Sequence, residues 1–514
     1  MGQEVVVLDG DSLTIKSLLE ITRKGKKVEL SEEAIKKIKK SRKIIESKLD
    51  KDEIIYGVST GFGKLSDAVI SPSERGILQT KLIKSHSIGF GPFLPDEIVL
   101  GAMIIELNSF CRGASGIRIE IAELLQKLIN EKVIPQVPSV GSLGASGDLS
   151  PLAYIARILI GEGKAKFNNE VLKGSEILKR IESTPIELQA KEGLSLINGT
   201  HVLTSFAAHS VYDSINVLEN SVLAVGLTLE AFDGNTRAFS SFVSNLRPHK
   251  GQIKFAKAIL DILEGSTLLK TEPKRIQDPY SIRCSPQVHG AVLDVICHCK
   301  RVVEIELNST TDNPLINLET SEVISGGNFH GEPIGLAMDY LCIAMTDLGN
   351  ISERRVNLLL DASISGLPSF LIKEPGLNSG LMMIQYLDAA IAAENKILAS
   401  PASIDNISVS ANQEDHVSMG FTASKKAYQL VRNIVQMVAI EFYTAYQALG
   451  FKEDKNKISN IVLEIFNFIS KDIPLLTEDK FFDEEVNWVA RKIENQLFTD
   501  IAKKKLGHIF GDNL

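Results

Sequence analysis

The chain has 514 residues with 56 basic and 64 acidic side chains, a net charge of −8, and so lacks the basic balance expected of a nucleic-acid binder. Hydrophobic residues make up 44% and aromatics only 6%, which predicts a large, mostly aliphatic core and little disorder. Cysteines 111, 284, 297, 299 and 342 are too scattered for a disulfide framework, no signal-peptide pattern follows the early charges Glu4, Asp9 and Asp11, and no uncharged apolar run reaches bilayer length; the expectation is a cytoplasmic protein with no membrane partner.

In chain order, Val5-Val6-Val7-Leu8 reads as a short β-like run. Ile35, Ile38, Ile45 and Leu49 mark a basic-faced helix after Ser31, with Glu32 and Glu33 in its first turn. Ile54-Ile55-Tyr56 is a second β-like run and leads into Tyr56-Gly57-Val58-Ser59-Thr60-Gly61-Phe62-Gly63. Three glycines around one tyrosine let the backbone approach a ligand closely, although a tyrosine packed over a turn would look the same. Ser85-His86 precedes another Gly-rich stretch; a lone histidine there is either a satisfied structural group or a polar contact for a ligand. Ala114-Ser115-Gly116 reads as a structural turn.

The segment 141–152, Gly-Ser-Leu-Gly-Ala-Ser-Gly-Asp-Leu-Ser-Pro-Leu, joins a small-residue loop to a clear helix start. Ser150 suits the N-cap, Pro151 the first helical position, and Gly161 the end of the helix. The Ala145-Ser146-Gly147 loop is thereby set near the positive end of a helix dipole. Roughly 284–308, 334–360, 379–399 and 416–449 each read as helices of about 20 residues or more, spanning about 30 Å. Leu381-Met382-Met383-Ile384 and Ala389-Ala390-Ile391-Ala392-Ala393 are apolar on most faces, which predicts burial by subunit association. Cys297-His298-Cys299 lies in a helical pattern where neighbouring residues face apart, so no metal site is expected. The predicted fold is mainly α: a long-helix bundle over 201–514, with a smaller mixed N-terminal domain over 1–200, assembled around an oligomeric helical core.

Three further blocks carry chemistry. Gln277-Asp278-Pro279-Tyr280-Ser281-Ile282-Arg283 offers a guanidinium whose fork suits a carboxylate, or else a surface ion pair. Gly326-Gly327-Asn328-Phe329-His330-Gly331 places an aromatic in a glycine-rich turn. Ala411-Asn412-Gln413-Glu414-Asp415-His416 offers a carboxylate that could accept from a ring N–H, or could simply complement a helix N-terminus.

Taken together, and in this order, these blocks resemble the aromatic amino acid lyase family over nearly the whole chain. The resemblance implies that Ala145, Ser146 and Gly147 cyclise autocatalytically into a methylidene-imidazolone (MIO), with no external cofactor. It implies Tyr56 as the base for the β-proton, Arg283 as the carboxylate anchor, Tyr280 and Gln277 as pocket residues, Asn198 as a hydrogen-bonding group near the MIO, and Phe329 as an aromatic beside it. Ser85-His86 and Glu414 match the histidine-specific members, which implies elimination of ammonia from L-histidine to give trans-urocanate, the first step of histidine degradation. Attack by the amine or by the ring on the MIO both stay open. An aminomutase or a lyase for another aromatic amino acid is the alternative, and an inactive helical scaffold is a third reading. A homotetramer with shared active sites is implied. His330-Gly331 and the segment Thr271-Glu272-Pro273-Lys274 depart from the commonest wording of the histidine-specific members.

Overall fold

The computed structural model describes residues 5–269 and 275–511; the 271–274 segment singled out above lies outside the described residues. Packing divides the chain into two compact units. One comprises Met1–His209, Lys300–Asp339 and Pro401–Lys425, and the other Ser210–Cys299, Tyr340–Ser400 and Lys426–Leu514. Residues 300–339 and 401–425, which the linear division at 200 assigned to the C-terminal domain, pack with the N-terminal unit.

The first unit combines helices with four small sheets among the described residues. Val5–Leu8 pairs in parallel with Lys27–Leu30, Val5 opposite Lys27 and Leu8 opposite Leu30. The connecting helix Ile15–Lys24 has a Thr14–Ser17 capping box and ends at Gly25, whose φ of 72° an L side chain would resist. Glu32–Leu49 starts at the Ser31 cap, as its sequence predicts. Asp96–Cys111 is buried at every position from Ile98 onward and forms the axis of this unit's core. Ile54-Ile55-Tyr56 is not a strand; the side chain of Ser59 takes the Ile55 amide and bends the chain into turns.

Long helices dominate the rest: His201–Phe232, Ser285–Glu306, Glu332–Leu360, Met382–Leu398 and Gly420–Gly450. His201–Phe232 is long and apolar enough by composition to cross a membrane, but 89% of its apolar window is buried within the protein. In the second unit Arg355 and Glu441 form a fully buried two-point ion pair at 2.5 and 2.7 Å, with Ser352 and Thr228 also donating to the carboxylate. Such a pair is tolerated in low dielectric only because its remaining lone pairs are satisfied. Met382–Leu398, by contrast, buries only Ile384, Asp388 and Asn395, leaving Met383, Tyr386, Leu387 and Ile397 exposed.

One local expectation is corrected, and one of the two readings of Glu414 is set aside. The helix after the small-residue loop is Ser150–Leu159, so Ser150 is its first residue and not its cap; the Ser150 hydroxyl donates to the Ile88 carbonyl instead. Glu414 does not start a helix. It lies in a tight loop closed by mutual backbone bonds with Val409, and the helix begins at Gly420.

Candidate active site

The Ala145-Ser146-Gly147 loop is held by backbone approaches that only glycine permits. Gly144 and Gly147 bridge each other, with φ of 82° and 74°. A Cβ at Gly147 would lie 2.0 Å from the Gly199 carbonyl oxygen, and one at Gly144 would lie 2.3 Å from Ser418 Oγ. Ser142 Oγ donates to the Gly147 carbonyl at 3.2 Å, Ser418 Oγ donates to the Gly144 carbonyl at 3.2 Å, and the Asp148 amide donates to Gly199 at 2.7 Å. Ala145 is buried against Val417 and Met419, while half-buried Ser146 reaches a cavity and donates to Glu414 Oε1 at 3.3 Å.

That cavity has a volume of about 720 Å³, and Tyr56, His86, Ser146, Asn198, Phe329 and Glu414 all line it. Six of the sequence-predicted side chains, from segments scattered along the chain, therefore share one wall system within the first unit. Tyr56 stands on the glycine loop; its phenolic oxygen accepts from the Gly63 amide at 2.9 Å, which fixes the ring's direction. Buried Gln79 secures the same loop, donating to the Gly57 carbonyl at 3.3 Å and accepting from the Leu194 amide at 2.9 Å.

His86 ends the helix Arg75–His86. Its Nδ1 lies 3.0 Å from the Leu82 carbonyl, which can only accept, so Nδ1 carries the proton and Nε2 keeps a lone pair in the neutral ring. Burial pushes the imidazole pKa down, outweighing the Leu82 bond and the nearby charge of Glu414, which act upward. Asn198 ends the helix Glu192–Ile197 and donates from Nδ2 to the Asn313 carbonyl at 3.1 Å. Its Oδ1 is buried without a partner, an acceptor left for something in the cavity.

Behind the loop, Asp148 accepts from the Val202 and Leu203 amides at 2.6 and 3.3 Å, capping the helix that starts at His201. Burial pushes the Asp148 carboxyl up to about 8, against those bonds, and pushes His201 down to about 3. The turn Ala114-Ser115-Gly116 lies outside the cavity, as expected; Gly116 has φ of 70° and Ser115 is buried.

Sequence reasoning missed Asn313. Its carbonyl orients Asn198, its Oδ1 accepts from the Gly326 amide at 2.8 Å, and it lines the cavity. The Asn313-Pro314 turn signal was available, but it says nothing about a ligand. Lys64 and Lys81 also line the cavity and went unremarked, and Gln413 lines it beside Glu414.

Gln277, Tyr280 and Arg283 do not line this cavity. They belong to the second unit, around the short helix Tyr280–Arg283, where Gln277 and Tyr280 are exposed. The Arg283 guanidinium stacks on the Tyr280 ring at 4.5 Å, and its Nε is buried without a hydrogen-bond partner.

A family model described as aromatic amino acid lyase matches residues 13–471. The chain belongs to that family. It is 46% identical over 505 residues to a histidine ammonia-lyase of Caldanaerobacter subterraneus subsp. tengcongensis, covering 97% of this chain and 98% of that one. A histidine ammonia-lyase of Streptococcus pyogenes is 44% identical over 504 residues, with the same coverage. Among solved structures, histidine ammonia-lyase from Trypanosoma cruzi superposes with a TM-score of 0.92 at 34% identity, covering 99% of this chain and 97% of that one. Tyrosine aminomutase from Streptomyces globisporus superposes at 0.93 with 33% identity, covering 98% and 99%. The mainly helical lyase fold expected from the sequence is thus the fold of these relatives.

Proposed function

We propose that this protein is a cytoplasmic, carbon–nitrogen lyase that removes ammonia from L-histidine to give trans-urocanate. The observation that carries the reading is the placement of two polar groups, His86 and Glu414, with Ser146 in one cavity. Neutral His86 offers an Nε2 lone pair and Glu414 a carboxylate, both suited to an imidazole N–H. A phenyl ring would strip water from both and return no hydrogen bond.

The loop at 145–147 suits the family's self-made MIO group. Its turn is folded back by the Gly144–Gly147 bridge, Gly147 has no Cβ to obstruct it, and of the three residues Ser146 is the one that lines the cavity. Ala145, Ser146 and Gly147 would supply its atoms, and once formed it would supply an electrophile that activates the substrate for loss of ammonia. Loss of the Ser146 hydroxyl in forming it would remove the donor now on Glu414 Oε1 and leave that oxygen for the substrate ring.

Tyr56 would take the β-proton; the Gly63 amide occupies one lone pair of its oxygen and aims the rest. Asn198 Oδ1, buried without a partner, would accept from a substrate N–H, while the bond from Nδ2 to Asn313 fixes which way the amide faces. Phe329 contributes an apolar wall. Arg283, with Tyr280 and Gln277, is assigned to the substrate carboxylate and to the cavity of another copy, in a homotetramer with shared sites. The exposed Gln277 and Tyr280 and the uncovered apolar face of Met382–Leu398 support that assembly. Holding the substrate between these groups removes several kcal/mol from the barrier through orientation alone.

The test is the rise of urocanate absorbance on adding L-histidine, with phenylalanine and tyrosine as comparisons and product mass spectrometry alongside. Turnover of phenylalanine or tyrosine without histidine refutes the specificity, and formation of β-histidine makes the enzyme an aminomutase, the reaction named for a close structural neighbour.

A further inference from the structure

Beside the cavity wall, three metal-ligating side chains from two distant segments converge. His330 and Glu332 stand at the start of the helix Glu332–Leu360, and His416 lies in the loop before Gly420–Gly450. One ligand atom from each lies within 4.8 Å of the others. Glu332 Oε2 is 3.8 Å from His330 Nδ1 and 4.0 Å from His416 Nε2, and the two imidazole planes are parallel to within 2°.

With both rings neutral, no proton accounts for this arrangement. His330 Nε2 is 3.3 Å from the His416 carbonyl oxygen, which can only accept, so Nε2 is the donor and Nδ1 of the neutral ring presents a lone pair. That lone pair faces Glu332 Oε2, which is buried with no hydrogen-bond partner. With both rings neutral, two acceptors therefore face each other, with a second imidazole beside them, and the orphaned oxygen calls for a positive charge at this point, a proton on a ring or a cation. The helix dipole explains why a carboxylate suits position 332, but not why two imidazoles flank its orphaned oxygen.

We propose that His330, Glu332 and His416 bind one divalent transition-metal cation of the zinc class. The ligands are His330 Nδ1, Glu332 Oε2 and His416 Nε2, with water completing the shell. Two nitrogens and one carboxylate oxygen form a borderline donor set that suits zinc better than calcium or magnesium. Bonds of about 2.0–2.2 Å require each side chain to draw inward by about half an ångström to an ångström, which exposed His416 is free to do. The His330 Nε2–carbonyl bond is the outer contact that holds a ligating imidazole in the correct tautomer. The cation ties the 328–332 segment, which carries Phe329, to the 406–419 segment, which carries Glu414, and so braces two parts of the cavity wall. It has no part in the bond-breaking steps and does not depend on the substrate assignment above.

The test uses the full-length protein, stripped with chelator and titrated calorimetrically with zinc chloride, with X-ray absorption of the loaded sample. The expected result is one zinc per chain in a nitrogen–oxygen shell, with affinity lowered by about tenfold or more in both His416→Ala and Glu332→Gln. Cys297→Ser, which removes an exposed thiol on another element, keeps full binding. Zinc also raises the thermal midpoint of the unaltered chain and not that of His416→Ala, a loop variant with little packing to lose. The proposal is overturned by absence of saturable binding, by a sulfur-containing shell, or by undiminished binding in His416→Ala.

Discussion

Glu414 and Gly147 show how differently single residues contribute. On the proposed function Glu414 would exchange the Ser146 hydroxyl for a substrate donor, so its replacement should affect catalysis and leave the fold intact. Glu414→Gln is expected to lower kcat/KM for L-histidine by about a hundredfold or more at unchanged thermal midpoint, measured by urocanate absorbance and calorimetry. Gly147 acts through the absence of a side chain. An added Cβ would meet the Gly199 carbonyl at 2.0 Å on a backbone already at φ of 74°. Gly147→Ala should therefore leave the chain at its encoded mass, whereas the unaltered chain should be lighter by two waters; an intact mass lighter by two waters in the variant would contradict this account of the loop. Ser146→Ala serves as the reference for uncyclised protein.

At the scale of elements, the start of the helix His201–Phe232 couples the loop to pH. Burial holds His201 down at about 3, below its ordinary value of about 6.5, so between these values the unfolded chain binds a proton that the folded chain does not. Its contribution is complete above about pH 6.5 and is lost as pH falls towards 3, about 2 kcal/mol by pH 5. Asp148 works oppositely: raised to about 8, it favours the folded state less as pH climbs from about 4 to 8. The two slopes offset each other between about pH 4 and 6.5, so the total is a poor readout and the difference between variants is a good one. His201→Gln should remove the acid-side loss and leave the Asp148 slope uncovered, so that its stability rises relative to the unaltered chain, by about 2 kcal/mol between pH 7 and pH 5, in denaturant melts. Parallel profiles would show that His201 is not held neutral.

At the scale of the molecule, the helix Met382–Leu398 presents Met383, Tyr386, Leu387 and Ile397 to solvent, which a stable isolated chain rarely tolerates on one face. Tyr386→Glu should reduce the assembly size by light scattering and reduce turnover with it, because Arg283 is assigned to the cavity of another copy; full activity from a monomer would refute shared sites. The apolar repetition of 381–393 was legible in the sequence because periodicity reports how much of a helix must be covered. So were the long helices, whose bounds differ from those expected by a few residues, and the six cavity residues, whose blocks are recognisable by local wording. Other features were not legible. The Ser150 cap moved because a tertiary contact with the Ile88 carbonyl took its hydroxyl. Ile54-Ile55-Tyr56 became turns because a side chain took its backbone donor. Asn313 and the His330–Glu332–His416 cluster escaped notice because their partners lie far away in sequence; His330 and His416 are 86 positions apart. By itself, then, the sequence determined the helical class, the family and the reactive residue types, since these follow from spacing and local chemistry. Only the tertiary structure decided which lone pairs are occupied, which are orphaned and which segments share a wall, because a hydrogen bond is a fact about distance in space and the order of residues along a chain does not contain it.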